Sequence, residues 1–252
     1  MHPILKAAVR RTARRLGYTV VPAWQLESFH LAEYLTKLFA LLQIDCVLDV
    51  GAHEGQYGDF LRASCGFTGL IVSFEPNPEA VQVLTRRAAA DPRWVVEPFA
   101  LGAAAGHADF HFMAGAQFNS FLRPTAVEEA RFDAYTTIER SLPVEIRTVD
   151  TVLAELRTRF QVRAPYLKLD TQGYDLEVVK GASRSLPEIR ALQTEVYLRR
   201  VYEQAPTFDE AITWLQGLGF AVGHVEPNNA TAHFPIPCDM DCVMVNMATL
   251  PA

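Results

Sequence analysis

The chain has 252 residues, 50% of them apolar and 21% charged, with a formal net charge of −6. This suits one α/β domain with some decoration and excludes a collagenous, disordered or low-complexity chain. The acidic balance argues against a nucleic-acid partner, because such an enzyme needs a basic face against phosphate.

In chain order, Lys6, Arg10, Arg11, Arg14 and Arg15 alternate with Ile4, Leu5, Ala8, Val9 and Leu16 at helical spacing. The pattern predicts a basic amphipathic helix, either packed and solvated or resting peripherally on an anionic membrane surface. No run of about eighteen apolar residues exists, and the N-terminus lacks a secretory core, so neither a membrane span nor export is expected. Residues 1–43 read as a helical extension, and 44–252 as the main domain.

A helix is predicted over 24–42, then a buried strand over 46–50 that ends at Gly51. A helix over 56–63, a strand over 70–74 and a helix from Pro78 to about residue 89 follow. Asn77 is suited to cap that last helix. A third strand runs from Trp94 toward Ala100. Residues 107–148 break the rhythm and read as an insertion or lid, with strands near 107–112 and 144–148 and a helix over 124–135. Asp150 is expected to cap a helix over 151–158. The rhythm resumes with a strand over 166–170, a helix from about residue 176 that stops near Gly181, and a strand over 189–196. A helix over 208–218 ends at Gly219, and an antiparallel pair over 220–225 and 242–247 closes the chain. Alternating strands and helices mean a doubly wound α/β fold with a mostly parallel sheet and an antiparallel closing strand.

Cys46, Cys65, Cys238 and Cys242 are too few for a disulfide framework, which makes a reducing cytoplasm the simpler setting. A metal clip at Cys238 and Cys242, in a Pro-flanked turn, lacks a second ligand pair nearby. His107, His111, His224 and His233 read as satisfied histidines more readily than as bases. Trp24, Trp94 and Trp214 fall in periodic elements and read as core.

Three clusters carry chemistry. Asp49-Val50-Gly51-Ala52-His53-Glu54-Gly55 turns a first strand into a first helix. Glycine there lets backbone approach a ligand, and the helix start offers free N–H groups. The third glycine of a dinucleotide fingerprint is missing, so Gly51 and Gly55, preceded by Asp49, suit an amino-acid tail better than a pyrophosphate. Glu75 ends the second strand, where an acid can accept bonds from both ribose hydroxyls. Asp170, in Lys168-Leu169-Asp170-Thr171-Gln172-Gly173-Tyr174-Asp175, stands at the carboxyl end of a later strand as a candidate general base. Asp170 and Glu195 are also candidate ligands for a divalent cation such as Mg2+.

These stretches, with Phe74-Glu75-Pro76-Asn77-Pro78, Thr148-Val149-Asp150 and Val179-Lys180-Gly181-Ala182, resemble the FkbM-type methyltransferases over roughly residues 45–247. The resemblance implies a class I, Rossmann-like methyltransferase fold, S-adenosyl-L-methionine, and O-methylation of a sugar, glycolipid or polyketide. It implies His53 in the cofactor loop, where the family usually has asparagine, and Gln172 where glutamate is more usual. Asn119 and Ser120 match a stretch of the family near the substrate. The acceptor expected is a small molecule or glycan, and a homo-oligomer is left open. The rivals are a nicotinamide oxidoreductase and a non-catalytic nucleoside-binding module on the same fold.

Overall fold

The computed structural model describes residues 12–13, 15–18, 20, 28–126, 133–227 and 237–251. Most of the basic N-terminal stretch, Trp24, residues 127–132 of the expected 124–135 helix, and His233 with most of the Pro-rich segment lie outside the described residues.

Among the described residues, seven strands form one sheet: β1 (Cys46–Val50), β2 (Leu70–Phe74), β3 (Trp94–Glu97), β7 (Pro165–Leu169), β8 (Ala191–Tyr197), β9 (Phe220–Pro227) and β10 (Asp239–Asn246), in the order β3-β2-β1-β7-β8-β10-β9. Neighbours from β3 to β8 run parallel, and β10 is antiparallel to both β8 and β9. This is the doubly wound sheet with an antiparallel closing strand that the sequence predicts. Every residue of β1, β2 and β7 is buried, because helices cover both faces.

One face packs on α1 (Phe29–Leu42), α2 (Gln56–Ala63) and α3 (Pro78–Ala88) through Leu35, Phe39, Leu61 and Leu84. The other packs on α4 (Val149–Phe160), α5 (Asp175–Lys180) and α6 (Phe208–Gly217) through Val152, Leu153, Val178 and Leu215. Asn77 caps α3 as expected, its Oδ1 accepting from Glu79 N at 3.0 Å with Pro78 in the first turn. Trp94 is core, and its indole N–H donates to Ser73 Oγ at 2.9 Å.

Four local expectations change. The third strand stops at Glu97: Pro98 has no N–H to give to a ladder, and Ala100–Leu101 becomes β4 of a second sheet. That sheet, ordered β4-β6-β5, holds β5 (Gly106–Met113) and β6 (Ile138–Arg147). β6 is longer than the 144–148 run because its outer residues, Glu139 and Ser141 among them, are solvated and carry no apolar signal. Thr148, not Asp150, caps α4, its hydroxyl accepting from Thr151 N at 3.2 Å. Asp150 lies in the first turn. Its carboxylate instead takes Ser185 N at 2.8 Å and Arg184 N at 3.1 Å, tying α4 to the loop after α5. The four cysteines are buried and free, and Cys242 lies in β10 rather than in a turn.

Candidate active site

At Gly51 the chain leaves β1 with φ +76, and a Cβ there would lie 1.9 Å from the Asp170 carbonyl oxygen. Glycine is therefore required, and the close approach seats the loop after β1 against the loop after β7. Gly51 N and Ala52 N donate to Phe74 O at 3.0 and 3.1 Å. His53 adopts φ 47, a left-handed conformation that Asn, Asp and His enter more readily than other side chains. This conformation is common to the residue present and the asparagine of the resemblance. Gly55 starts α2 at φ 90, with Leu84 2.7 Å from where its Cβ would stand. The first-turn N–H groups of α2 have no intrahelical acceptor and face the loop.

Glu75, 6% exposed, follows β2 directly. Its Oε2 accepts from His53 N and its Oε1 from Asn77 N, both at 2.8 Å. Burial raises its carboxyl to about 7, against the pull of those two backbone donors. Each oxygen keeps a second lone pair, enough for a ribose hydroxyl apiece. The donor set thus fits a nucleoside with an amino-acid tail.

Beneath the loop a buried polar row crosses the sheet in register through Ser73, Asp49, Lys168 and Gln193. Ser73 Oγ donates to Asp49 Oδ2 at 2.9 Å. Lys168 Nζ lies 3.5 Å from Asp49 Oδ1, 3.3 Å from Asp170 Oδ2, and 5.1 Å from the Tyr57 ring centroid. Burial opposes the lysine's charge, but the carboxylates of Asp170, Asp49 and Asp241 outweigh it and hold the ammonium above the usual lysine range. Burial raises the carboxyl of Asp49, which is fully buried. Tyr57 and Tyr166 hydroxyls both donate to Gln193 Oε1, at 2.8 and 3.2 Å.

Asp170 stands just past β7 with its side chain 45% exposed. Lys168 holds one carboxylate oxygen, and Gln172 Nε2 donates to the other at 3.0 Å. The same Nε2 lies 3.3 Å from Glu195 Oε2, which also accepts from the Tyr197 hydroxyl. Burial, followed by the charges of Asp170 and Asp239, pushes Glu195 well above the carboxylate range. Asp241 lies opposite Glu195 across the β8–β10 ladder, pushed up to about 6 by burial and by Asp170. Asp175, 3% exposed, accepts from Thr171 N at 2.9 Å, Thr194 Oγ1 at 2.7 Å and Glu195 N at 3.1 Å, so it pins the Asp170 loop to β8.

The insertion is stitched to this edge. Ser120 is fully buried, and its hydroxyl donates to Gln172 O at 2.8 Å and accepts from Leu122 N at 3.0 Å. Asn119 Oδ1 accepts from Met113 N at 2.8 Å. The polar atoms of both residues thus order the insertion itself.

The structure brings Asp49, Gly51, His53, Gly55, Glu75, Asp170, Glu195 and Ser120 to one carboxyl edge of the sheet. His111 Nδ1 is 2.7 Å from Ser141 Oγ, and the ring of His224 stacks on Tyr34. A bridging divalent cation does not fit the Asp170–Glu195 pair, because an amide nitrogen stands within bonding distance of both carboxylates. Among the described residues no group of three or more His, Cys, Asp or Glu could hold a metal ion. Sequence reasoning missed Asp175, Asp241, Gln193, Tyr197 and Tyr202. Of these, Asp175 carried a local signal, the second acid of the Asp170 stretch; Asp241, Gln193 and Tyr197 enter through strand register, and Tyr202 from the segment after β8, its hydroxyl donating to Gln172 Oε1.

Residues 49–222 match the model of the methyltransferase FkbM domain family. No curated protein matches the chain. Among solved structures, an rRNA methylase from Streptococcus thermophilus is similar at 11% identity and TM-score 0.46, covering 87% of this chain and 96% of its own. Magnesium protoporphyrin IX methyltransferase from Synechocystis PCC 6803, solved with S-adenosylmethionine bound, is similar at 11% identity and TM-score 0.46, over 95% of this chain and 91% of its own. A methyltransferase dependent on the same cofactor, from Aquifex aeolicus, is 16% identical at TM-score 0.39, over 89% and 94%.

Proposed function

We propose that this chain, which belongs to the methyltransferase FkbM family, methylates a hydroxyl oxygen of a sugar, glycolipid or polyketide-type acceptor. The family match makes it an S-adenosylmethionine-dependent methyltransferase of the class I, Rossmann-like type, which displaces the nicotinamide and non-catalytic alternatives. The acceptor is our reading. It rests on one observation: a half-exposed carboxylate, Asp170, held on both oxygens at the sheet edge directly against the Gly51 loop.

S-adenosylmethionine, when bound, supplies a methyl group already activated on a sulfonium. In this reading Glu75 accepts the ribose hydroxyls, while the loop from Gly51 to Gly55 and the first turn of α2 hold the amino-acid tail. Asp170 aligns the acceptor hydroxyl and takes its proton on a carboxylate oxygen. Ser120 and Asn119 shape the acceptor side by fixing the insertion. The reading places the enzyme in the cytoplasm, with the basic N-terminal stretch meeting an anionic membrane surface where the acceptor is lipid-borne. Among the described residues no helix is long and apolar enough to cross a membrane.

The test is methyl transfer from labelled cofactor to a panel of glycans, glycolipids and polyketides, with Asp170→Asn alongside. The variant is expected to bind S-adenosylhomocysteine within about twofold of the parent and to lose turnover by about a hundredfold or more. Parental turnover in Asp170→Asn removes Asp170 as the base, and methylation of none of the panel removes the acceptor class.

A further inference from the structure

Asp170, just past β7, and Glu195, within β8, come together at the catalytic edge, and a donor placed between two such carboxyl groups offsets their mutual repulsion. Gln172 supplies the donor. Its Nε2 gives hydrogen bonds to Asp170 Oδ1 at 3.0 Å and to Glu195 Oε2 at 3.3 Å. Its Oε1 accepts from the Tyr202 hydroxyl at 2.7 Å. The Asp170 carboxylate sets the orientation of the amide, since turning it over would put its oxygen against that carboxylate. The residue is held from both ends. Its carbonyl accepts from Ser120 Oγ at 2.8 Å, and its backbone sits at φ 53, followed by Gly173 at φ 89. A side-chain-bearing residue kept in that left-handed conformation, at the edge of a site, is held there by its surroundings.

Hard divalent cations take oxygen ligands, and an amide N–H2 group is not one. We infer that Gln172 is a positioning residue that stands where a bridging cation would otherwise be needed, aiming Asp170 at the acceptor, so that the enzyme works without a divalent metal. The inference rests on the methyl-transfer reading for the role of Asp170, while the bridging itself does not.

The experiment uses the full chain and Mn2+ as the probe. By calorimetry in the absence of donor and acceptor, the parent is expected to take up no stoichiometric Mn2+, and Gln172→Glu to take up one ion per chain, lost again when Asp170→Asn is added. With an acceptor from the panel, parental turnover is expected to stay within twofold between EDTA and Mg2+. Gln172→Glu should lose at least tenfold in EDTA and recover with Mn2+. Gln172→Met should lose at least tenfold in kcat with the donor KM within twofold. One Mn2+ bound by the parent and lost in Asp170→Asn overturns the proposal, as does parental kcat in Gln172→Met; both hold even where Gln172→Glu fails to fold. Failure of the parent to methylate any acceptor of the panel while it still refuses Mn2+ removes the acceptor class and leaves the bridging intact.

Discussion

Glu75 does two jobs with one carboxyl group: it bonds the amides of His53 and Asn77, and it presents its remaining lone pairs to the crevice. Burial raises its carboxyl from 4.5 to about 7, so the fold binds the neutral acid more tightly than the unfolded chain does. The contribution to stability is complete below about pH 4.5 and is lost as the pH rises through about 7. Over that window the unliganded parent is expected to give up as much as about 3 kcal/mol that Glu75→Gln keeps. Urea unfolding of both chains near pH 5 and near pH 8 measures the difference; equal pH slopes would mean that Glu75 is as well solvated as in the unfolded chain. Residue types at Gly51, Glu75 and Asp170 could be read from the sequence because each sits where a strand ends. The partners of Asp170 could not. The place of Lys168 between Asp49 and Asp170 depends on β1 and β7 lying side by side.

The helices were legible wherever an apolar stripe recurred at helical spacing. In α1, Leu31, Leu35, Leu38, Phe39 and Leu42 recur on one face and are buried against the sheet. Leu35 is wholly buried, and Leu35→Ala is expected to cost about 2–5 kcal/mol of stability, read as a lower urea midpoint at unchanged slope. A loss under about 1 kcal/mol would show that α1 packs loosely on β7 and β9. Elements were misread where their signal came from elsewhere in the chain. β6 is solvated along much of its length and forms only because β5 offers a ladder to it. α4 starts at Val149, whose burial fixes the first turn and leaves Thr148 as the cap, freeing Asp150 to bind the loop after α5.

For the whole molecule, the acidic balance bears on partners rather than on fold. The chain is expected to show no mobility shift with duplex or single-stranded RNA at about physiological salt, where non-specific affinity comes from neutralised phosphates. A salt-dependent shift at micromolar protein would reopen nucleic acid as an acceptor. The sequence by itself determined the alternation of strands and helices, the glycine turn after β1, the acids at the ends of β2 and β7, and the family resemblance, because each is written in residues close along the chain. Tertiary structure alone decided that Gln172 bridges Asp170 to Glu195, that Asp175 pins the Asp170 loop to β8, and that Asp241 faces Glu195 across a ladder. The physical reason is strand order: residues from β7, β8 and β10 become neighbours only when the sheet closes, and no local pattern encodes a contact made by register.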